Sequence, residues 1–214
     1  MKKILALILA AMMLMSLVAC GNTTETETQT ETETETETET EVVVELPYKS
    51  ATELLTLAFN NYNASATEET KLYVAGGNIN NFETTSMEGP AKFVALANED
   101  YDQNLGFPVA ETSKIVDAAS MFNMMNTNVF NCYTVQLAEG TDVKAVAEAV
   151  KANILARQWI CGAPEKLVIV QFPGDCLLVV WGAVQFGGIV DPFAASLSSV
   201  VEGTEVLVEH TFEA

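Results

Sequence analysis

Two apolar stretches near the C-terminal end limit what this chain can fold into more than any other feature. Leu167 to Phe172 and Leu177 to Trp181 are apolar at nearly every position and rich in Val, Ile and Leu. A strand with one wet face would alternate polar and apolar residues, so both stretches are predicted to be central strands covered on both faces. Pro173-Gly174-Asp175 joins them, and Pro followed by Gly suits a type II turn, which predicts an antiparallel hairpin.

The segment before the hairpin predicts a strand followed by a helix. Residues 129–138 read as a strand with Tyr133, Val135 and Leu137 on one face. Gly140-Thr141-Asp142 then begins a helix over 142–158. Its apolar positions recur at helical spacing and are Val143, Val146, Ala147, Val150 and Ile154. We expect the strand and the hairpin to share one sheet, with this helix across one face.

A sheet covered on both faces needs further helices, and three segments are candidates. Ser50 and Glu53 form a capping box for a helix over 51–62. The segment 111–124 has apolar residues at helical spacing, with Met121, Met124 and Met125 near its end. Asp191-Pro192 precedes a third helix over 192–201. The apolar positions expected to face the core in the last two are Ile115, Val116, Ala119, Phe122, Phe193, Leu197 and Val200.

Shorter strands complete the predicted fold. Leu72 to Ala75, Ala91 to Ala97 and 205–212 read as strands, the last with Val206, Val208 and Phe212 inward and Glu205, Glu209 and Glu213 outward. Residues 46–214 are long enough to bury roughly 70% of their unfolded surface, which suits one core. The sequence therefore predicts an α+β fold: a single domain with a mixed, mostly antiparallel sheet and helices packed on it.

The N-terminal residues predict a targeting signal rather than part of the fold. Lys2 and Lys3 precede an uncharged apolar run, Ile4 to Val18, of 15 residues, shorter than the roughly 20 that a membrane-spanning helix needs. Leu17-Val18-Ala19-Cys20 follows and resembles the lipobox of bacterial lipoproteins. The resemblance implies a signal peptide over 1–19, cleavage between Ala19 and Cys20, a diacylglyceryl group on the Cys20 thiol, and acylation such as palmitate on the new amine.

A polar linker is predicted over 20–45. Thr23 to Glu41 is almost a strict Thr-Glu alternation, with eight glutamates and no base. Both faces of such a strand would be polar, and the like charges repel, so we expect a disordered, extended tether. At about 3.1 Å per residue it would hold a domain roughly 60 Å from the membrane. Glycosylation of the threonines and a binding role for the acids are the alternatives.

The charge of the chain limits its partners. The sequence has 29 acidic and 10 basic residues, a net charge of −19. Removal of residues 1–19 takes away Lys2 and Lys3 and makes the net charge −21. Such a surface repels phosphate backbones, and no Lys/Arg cluster offsets this, so no nucleic-acid partner is expected. It also repels anionic lipid, so the predicted membrane contact is the lipid anchor alone. A charged partner should be cationic or metal-bearing.

A second resemblance concerns the folded part. The strand, the Gly-Thr-Asp turn, the helix ending near Arg157 and the hairpin together resemble a family of uncharacterised lipoproteins of Gram-positive gut bacteria that carry a domain of unknown function. The likeness is clearest over 129–182 and fades elsewhere. Its carrying residues are Met125-Asn126, Val143, Val146, Val150, Arg157 and Gln158-Trp159-Ile160-Cys161-Gly162. It implies a location and a fold, and no catalytic residue.

Few residues suggest catalysis. His210 is the only His; a lone His on an apolar strand face is more often a core residue than a base or ligand. Besides Cys20, the mature chain has Cys132, Cys161 and Cys176, so at most one disulfide forms, and Cys132 with Cys176 is the candidate pair if their strands are neighbours. A thiol enzyme would require Cys161 beside His210. No phosphate loop, G-x-S-x-G or H-E-x-x-H motif occurs.

Two groups of residues are weaker ligand signals, and each has a simpler structural interpretation. Three thioethers at Met121, Met124 and Met125 would suit a soft metal, but methionines more often fill core gaps. Glu99, Asp100 and Asp102 cluster beside Tyr101 and would suit a cation or a sugar, although a polar loop is the simpler interpretation. No cofactor and no metal site are predicted.

Two function classes remain open at this stage. The first is a non-enzymatic binding or accessory module of the cell envelope, lipid-anchored on the extracytoplasmic face of the cell membrane. The alternative is a tethered envelope enzyme, thiol-based or hydrolytic, that uses Cys161 and His210. The absence of a nucleophile-base motif favours the first. The identity of a protein or small-molecule partner is not predicted.

Overall fold

A seven-stranded antiparallel sheet forms the centre of the computed structural model, which describes residues 46–125, 130–159, 163–183, 188–198 and 200–213. The strands are β1 Val74–Gly76, β2 Ala91–Lys92, β3 Ile115–Asn123, β4 Phe130–Leu137, β5 Lys166–Phe172, β6 Cys176–Gly182 and β7 Glu205–Thr211. Their order across the sheet is β1-β3-β4-β6-β5-β7, and β2 pairs with β3 beside β1. Every pairing among the described strands is antiparallel.

Helices lie on both faces of this sheet. They are α1 Ala51–Ser65, α2 Glu99–Leu105, α3 Val143–Ala156 and α4 Val190–Ala195, and a 3-10 helix spans Val109–Lys114. The α+β architecture with helices packed on an antiparallel sheet is therefore as predicted. None of the helices among the described residues is both long and apolar enough to cross a membrane.

The predicted hairpin is the middle of the sheet. β5 and β6 pair from Lys166–Gly182 to Phe172–Cys176, and every residue of β6 is buried. β4 pairs with the outer edge of β6 and β7 with that of β5. Neither hairpin strand alternates, because its residues are buried in core clusters on both faces of the sheet. Gly174 has the positive φ of 74° that a type II turn requires, and Asp175 also has a positive φ of 56°.

Helix α3 covers one face, as predicted. Its five expected core residues are all buried against a cluster that includes Tyr133, Val135, Ile169 and Trp181. Asp142 is the N-cap, since its carboxylate accepts a hydrogen bond from Ala145 N at 3.0 Å. We call this side of the sheet the α3 face.

Helices α1 and α4 cover the opposite face, which we call the α1 face. Ser50 caps α1 by accepting from Glu53 N, and Glu53 accepts from Lys49 N, so the predicted capping box is present one residue displaced. Asp117 of β3 accepts from Ala51 N at 3.0 Å, and the Thr134 hydroxyl of β4 donates to Ala51 O. Two strands therefore fix the start of α1.

The predicted helix over 111–124 is wrong. The segment forms the end of the 3-10 helix and then β3, which pairs with β4 from Ile115–Leu137 to Phe122–Asn131. Residues 118–122 are all buried because both faces of β3 are covered. A strand buried on both faces has no period of two, and its apolar residues matched a helical spacing by chance.

Three smaller predictions also differ from the structure. The strand over 91–97 is only two residues long, and the last helix ends at Ala195 with Ile189, not Asp191, at its N-cap. Val206 is 57% exposed, whereas the alternation of the strand predicts an inward side chain. A register shift at Ile169/Val170 makes Val208 face Ile169 and Val206 face Val170, which leaves Leu207 unpaired. A β-bulge of this kind inverts the alternation and cannot be seen in one strand alone.

Candidate binding sites

The predicted disulfide between Cys132 and Cys176 does not form, and both thiols are free and buried. Their strands β4 and β6 are neighbours, but Cys132 lies opposite Val180 and Cys176 opposite Gln136. Four residues along a strand span about 13 Å, well beyond the roughly 7 Å limit between bridged Cα atoms. Burial, with the negative charges of Asp175 and Asp117, raises the pKa of Cys176 to about 12, and burial raises that of Cys132. Neither thiol is therefore activated as a nucleophile.

His210 lies on β7 opposite Leu167, partly buried, with its ring edge-to-face against Phe212 at 5.2 Å between centroids. Its ring contact fits a structural role. Cys161 lies outside the described residues, so the pairing of Cys161 with His210 stays a prediction. Ala19 and Cys20 lie outside them as well.

Asp100 organises the acidic segment 99–102 as a structural anchor. Its carboxylate is buried and accepts hydrogen bonds from Asn78 Nδ2, Asn80 Nδ2, Leu96 N and Ala97 N at 2.7–3.3 Å. Burial opposes ionisation, yet these four donors lower its pKa below the ordinary value. The carboxylate is thus occupied by its own chain, which favours a structural interpretation over a cation or sugar site.

The three methionines do not form a thioether cluster. Met121 is fully buried in β3 among the core residues of the α1 face, whereas Met124 is half exposed and Met125 almost wholly exposed. Among the described residues, no group of three or more His, Cys, Asp or Glu side chains is arranged to hold a metal ion.

An open groove of about 420 Å³ lies beside β1 at the α1 face. We call it the β1 groove. Its apolar wall includes side chains that a soluble surface seldom leaves uncovered: Tyr73 is 66% exposed, Met87 65% and Met124 50%. The lining residues are Phe59, Asn63, Lys71, Leu72, Tyr73, Val74, Met87, Glu88, Gly89 and Met124.

The lining of the β1 groove contains one acid and one base. The acid is Glu88. Lys71 is the one base that lines it, and its ammonium is paired with Glu68 at 2.7 Å. The groove therefore combines an apolar wall with uncompensated negative charge, which suits a partner that is both apolar and cationic.

A second feature, the aromatic corner, lies on the α3 face at the opposite side of the sheet. It consists of Asn131, Tyr133, Arg157, Trp159 and Trp181. Asn131 pairs directly with Trp181 across β4 and β6. The Trp181 ring is edge-to-face with Tyr133 at 6.1 Å and with Trp159 at 6.2 Å between centroids. The Arg157 guanidinium carbon lies 5.1 Å from the Trp159 ring centroid.

Unpartnered buried polar atoms concentrate in this corner. Asn131 Oδ1, Tyr133 OH, Trp159 Nε1 and Trp181 Nε1 are buried without a hydrogen-bond partner. The only others among the described residues are on Asn61 and Asp117, and the Asp117 oxygen is ion-paired with Lys92. Asn131, Tyr133 and Trp181 are at most 3% exposed. Buried polar groups are normally satisfied in native proteins, so four unsatisfied ones in one place mark a functional candidate.

Arg157 adds a positive charge to the corner. It donates to Gln103 O at 2.8 Å, and burial lowers its pKa although the charges of Asp102 and Tyr133 act against this. Six of the other bases in 46–214 form ion pairs; within the described part of the chain, Arg157 has no carboxylate within 4 Å. Burial strongly raises the pKa of Tyr133, so its hydroxyl keeps its proton.

Sequence reasoning missed both candidate sites. One signal was available for the corner: Asn131 and Tyr133 are polar residues on the core-facing positions of a predicted strand. For the β1 groove no signal existed, because Tyr73, Met87 and Met124 come from three separate segments.

The chain matches no protein-family model, no curated protein and no solved structure. The two family resemblances of the sequence therefore stay predictions.

Proposed function

We propose that this protein is a lipid-anchored, extracytoplasmic binding module of the cell envelope, and that the β1 groove binds a cationic, amphipathic segment of another protein. The anchor rests on Leu17-Val18-Ala19-Cys20, and membrane attachment would occur through the lipidated Cys20. The observation that carries the binding function is the groove itself, whose apolar wall is exposed beside the carboxylate of Glu88.

Charge selects the occupant of the groove. A second copy of the cleaved chain would bring a net charge of about −21 to a groove that already contains Glu88, which disfavours self-association. A basic amphipathic helix presents apolar residues to the wall and lysines to the carboxylate of Glu88. Methionine side chains adapt to many apolar shapes, which suits recognition of such helices.

A labelled helix tests the groove. The probe is a fluorescent amphipathic peptide of lysine and leucine, and its control is the same peptide with glutamate in place of lysine. The full chain in mild detergent should bind the lysine peptide, and Met87→Gln should raise its Kd about tenfold, since one large apolar contact is lost. Leu155→Gln, an exposed apolar position on α3, is the matched control and should leave the Kd unchanged. Equal effects of the two substitutions would refute specific binding in the groove.

The anchor is tested separately. Cys20→Ala should abolish incorporation of labelled palmitate and remove the protein from the membrane fraction, because the lipobox resemblance assigns lipidation to that thiol alone. Retained label in this variant would contradict the anchor without bearing on the groove.

A further inference from the structure

The aromatic corner is a second, independent site, and we propose that it binds a small monocarboxylate that carries a hydroxyl group. It lies on the α3 face, whereas the β1 groove lies on the α1 face, so neither proposal depends on the other.

The unpartnered hydrogen-bond donors of the aromatic corner would be satisfied by oxygen acceptors on a ligand. Tyr133 OH and the indole N–H groups of Trp159 and Trp181 are buried without a partner, and indole nitrogen can only donate. Arg157 adjoins them, half-buried against Trp159 and without an ion pair. A planar guanidinium that lies over one of the three donor-bearing rings would match the two oxygens of a carboxylate.

Asn131 Oδ1 is the unpartnered acceptor of the aromatic corner, and it would be satisfied by a donor group on the ligand. Asn131 already donates from Nδ2 to Asn104 O at 3.1 Å, which fixes the orientation of its amide and leaves Oδ1 free. Oδ1 lies on the strand pair that carries Trp181. A hydroxyl near the ligand carboxylate would donate to this oxygen, which a simple carboxylate does not.

Overall charge limits the ligand to one negative charge. The chain is strongly acidic, so each further charge on a ligand meets long-range repulsion, and only Arg157 opposes it locally. Phosphates and dicarboxylates are therefore disfavoured. Arg157 and Trp159 are the partly exposed members of the corner, so a small ligand would enter from their side.

Fluorescence reads this site selectively, because Trp159 and Trp181 are the only two tryptophans of the chain. The full chain in mild detergent is titrated at constant ionic strength with lactate, with propionate (which lacks the hydroxyl) and with 1,2-propanediol (which lacks the carboxylate). We expect a saturable change with lactate, weaker binding of propionate and no saturation with propanediol. A lactate response that does not saturate would show that only solvent occupies the corner and would overturn the proposal.

Variants assign the response to named groups. Arg157→Gln should weaken lactate binding at least about tenfold, and Tyr133→Phe, which keeps the ring, about threefold to tenfold. Lys151→Gln removes a partly exposed charge of α3 that is paired with Glu148, and it should change nothing. If Arg157→Gln does not fold, Tyr133→Phe and Arg157→Lys carry the test. Unchanged lactate affinity in Tyr133→Phe would refute the site. These variants should bind the lysine-leucine peptide as the wild type does, because the β1 groove is independent of the aromatic corner.

Discussion

At the residue scale, Gly76 shows how closely the segments around β1 approach. A Cβ added there would lie 2.4 Å from both Ala91 N and Gly89 O and 2.7 Å from Ser120 O, all of them backbone atoms. Backbone on three sides cannot give way as the end of a flexible side chain does. The glycine is therefore required by space, since its φ is not positive.

We expect Gly76→Ala to destabilise the protein by about 3 kcal/mol, as overpacking of a tight site does. Gly140→Ala is the control, because Gly140 has a positive φ of 78° but nothing within 4 Å of an added Cβ. It should cost only the conformational strain, about 1 kcal/mol. Urea unfolding of the two variants measures the difference, and equal losses would show that the close approach at Gly76 is not real.

Asp100 should make stability depend on pH in the acidic range. Burial disfavours its charged form, but the four donors around it lower its pKa in the folded state below the ordinary value of 3.8. A lowered pKa contributes stability that is present above pH 3.8 and is lost as the pH falls through the folded-state value. Asp100→Asn presents an NH₂ group to donors and should cost about 1–3 kcal/mol at pH 7.

The measurement is the difference in unfolding midpoint between wild type and Asp100→Asn from pH 7 downward. This difference should shrink below pH 4, because the unfolded wild-type chain then binds a proton at Asp100 that the folded state, with its lowered pKa, resists. Asp102→Asn is a matched control two residues further along α2. The Asp102 carboxylate accepts a single side-chain hydrogen bond, from Asn153. A pH-independent difference for Asp100→Asn would contradict the role of its charge.

At the scale of elements, the packing of α3 on the sheet is the contact that the sequence predicts best. Val146 is fully buried between the helix and the strands. Val146→Asp buries a charge with no partner and should lower the free energy of unfolding by several kcal/mol. Ala145→Asp is the control: this residue is exposed in the first turn of α3, where a negative charge is favourable. Thermal melts should separate the two variants clearly, and similar melting would mean that α3 does not pack on this face.

Elements were predictable where local pattern and tertiary burial agree. The hairpin β5–β6 and helix α3 satisfy both, because a continuous apolar run fits a central strand and a 3.6-residue period fits a helix with one wet face. β3 does not: its residues 118–122 are small or apolar on both sides, and only pairing with β4 decides that they form a strand. The aromatic corner depends on the same kind of information, because the register of β4 and β6 is what places Asn131 beside Trp181.

At the scale of the whole molecule, the two faces of the sheet carry different surfaces. The α1 face ends in an apolar groove that contains Glu88, and the α3 face ends in the one partly buried cation without an ion pair among the described residues. A domain that binds a basic segment on one face and a small carboxylate on the other would be served by a tether that holds both faces clear of the membrane. Residues 20–45 are predicted to provide that spacing.

Deletion of residues 23–41 tests whether this segment is only a spacer. A chain of alternating Thr and Glu has no apolar face to bury, so the deletion should leave the melting temperature of the domain unchanged. It should also leave the Kd for lactate nearly the same, while the lysine-leucine peptide loses a nonspecific, salt-sensitive part of its binding to the eight removed glutamates. Differential scanning calorimetry of the full and shortened chains gives the first result, and peptide titrations at two salt concentrations give the second. A loss of several degrees in melting temperature on deletion would show that residues 23–41 pack on the domain. If Met87→Gln no longer changes the peptide Kd once residues 23–41 are deleted, the peptide binds the glutamates of that segment rather than the β1 groove.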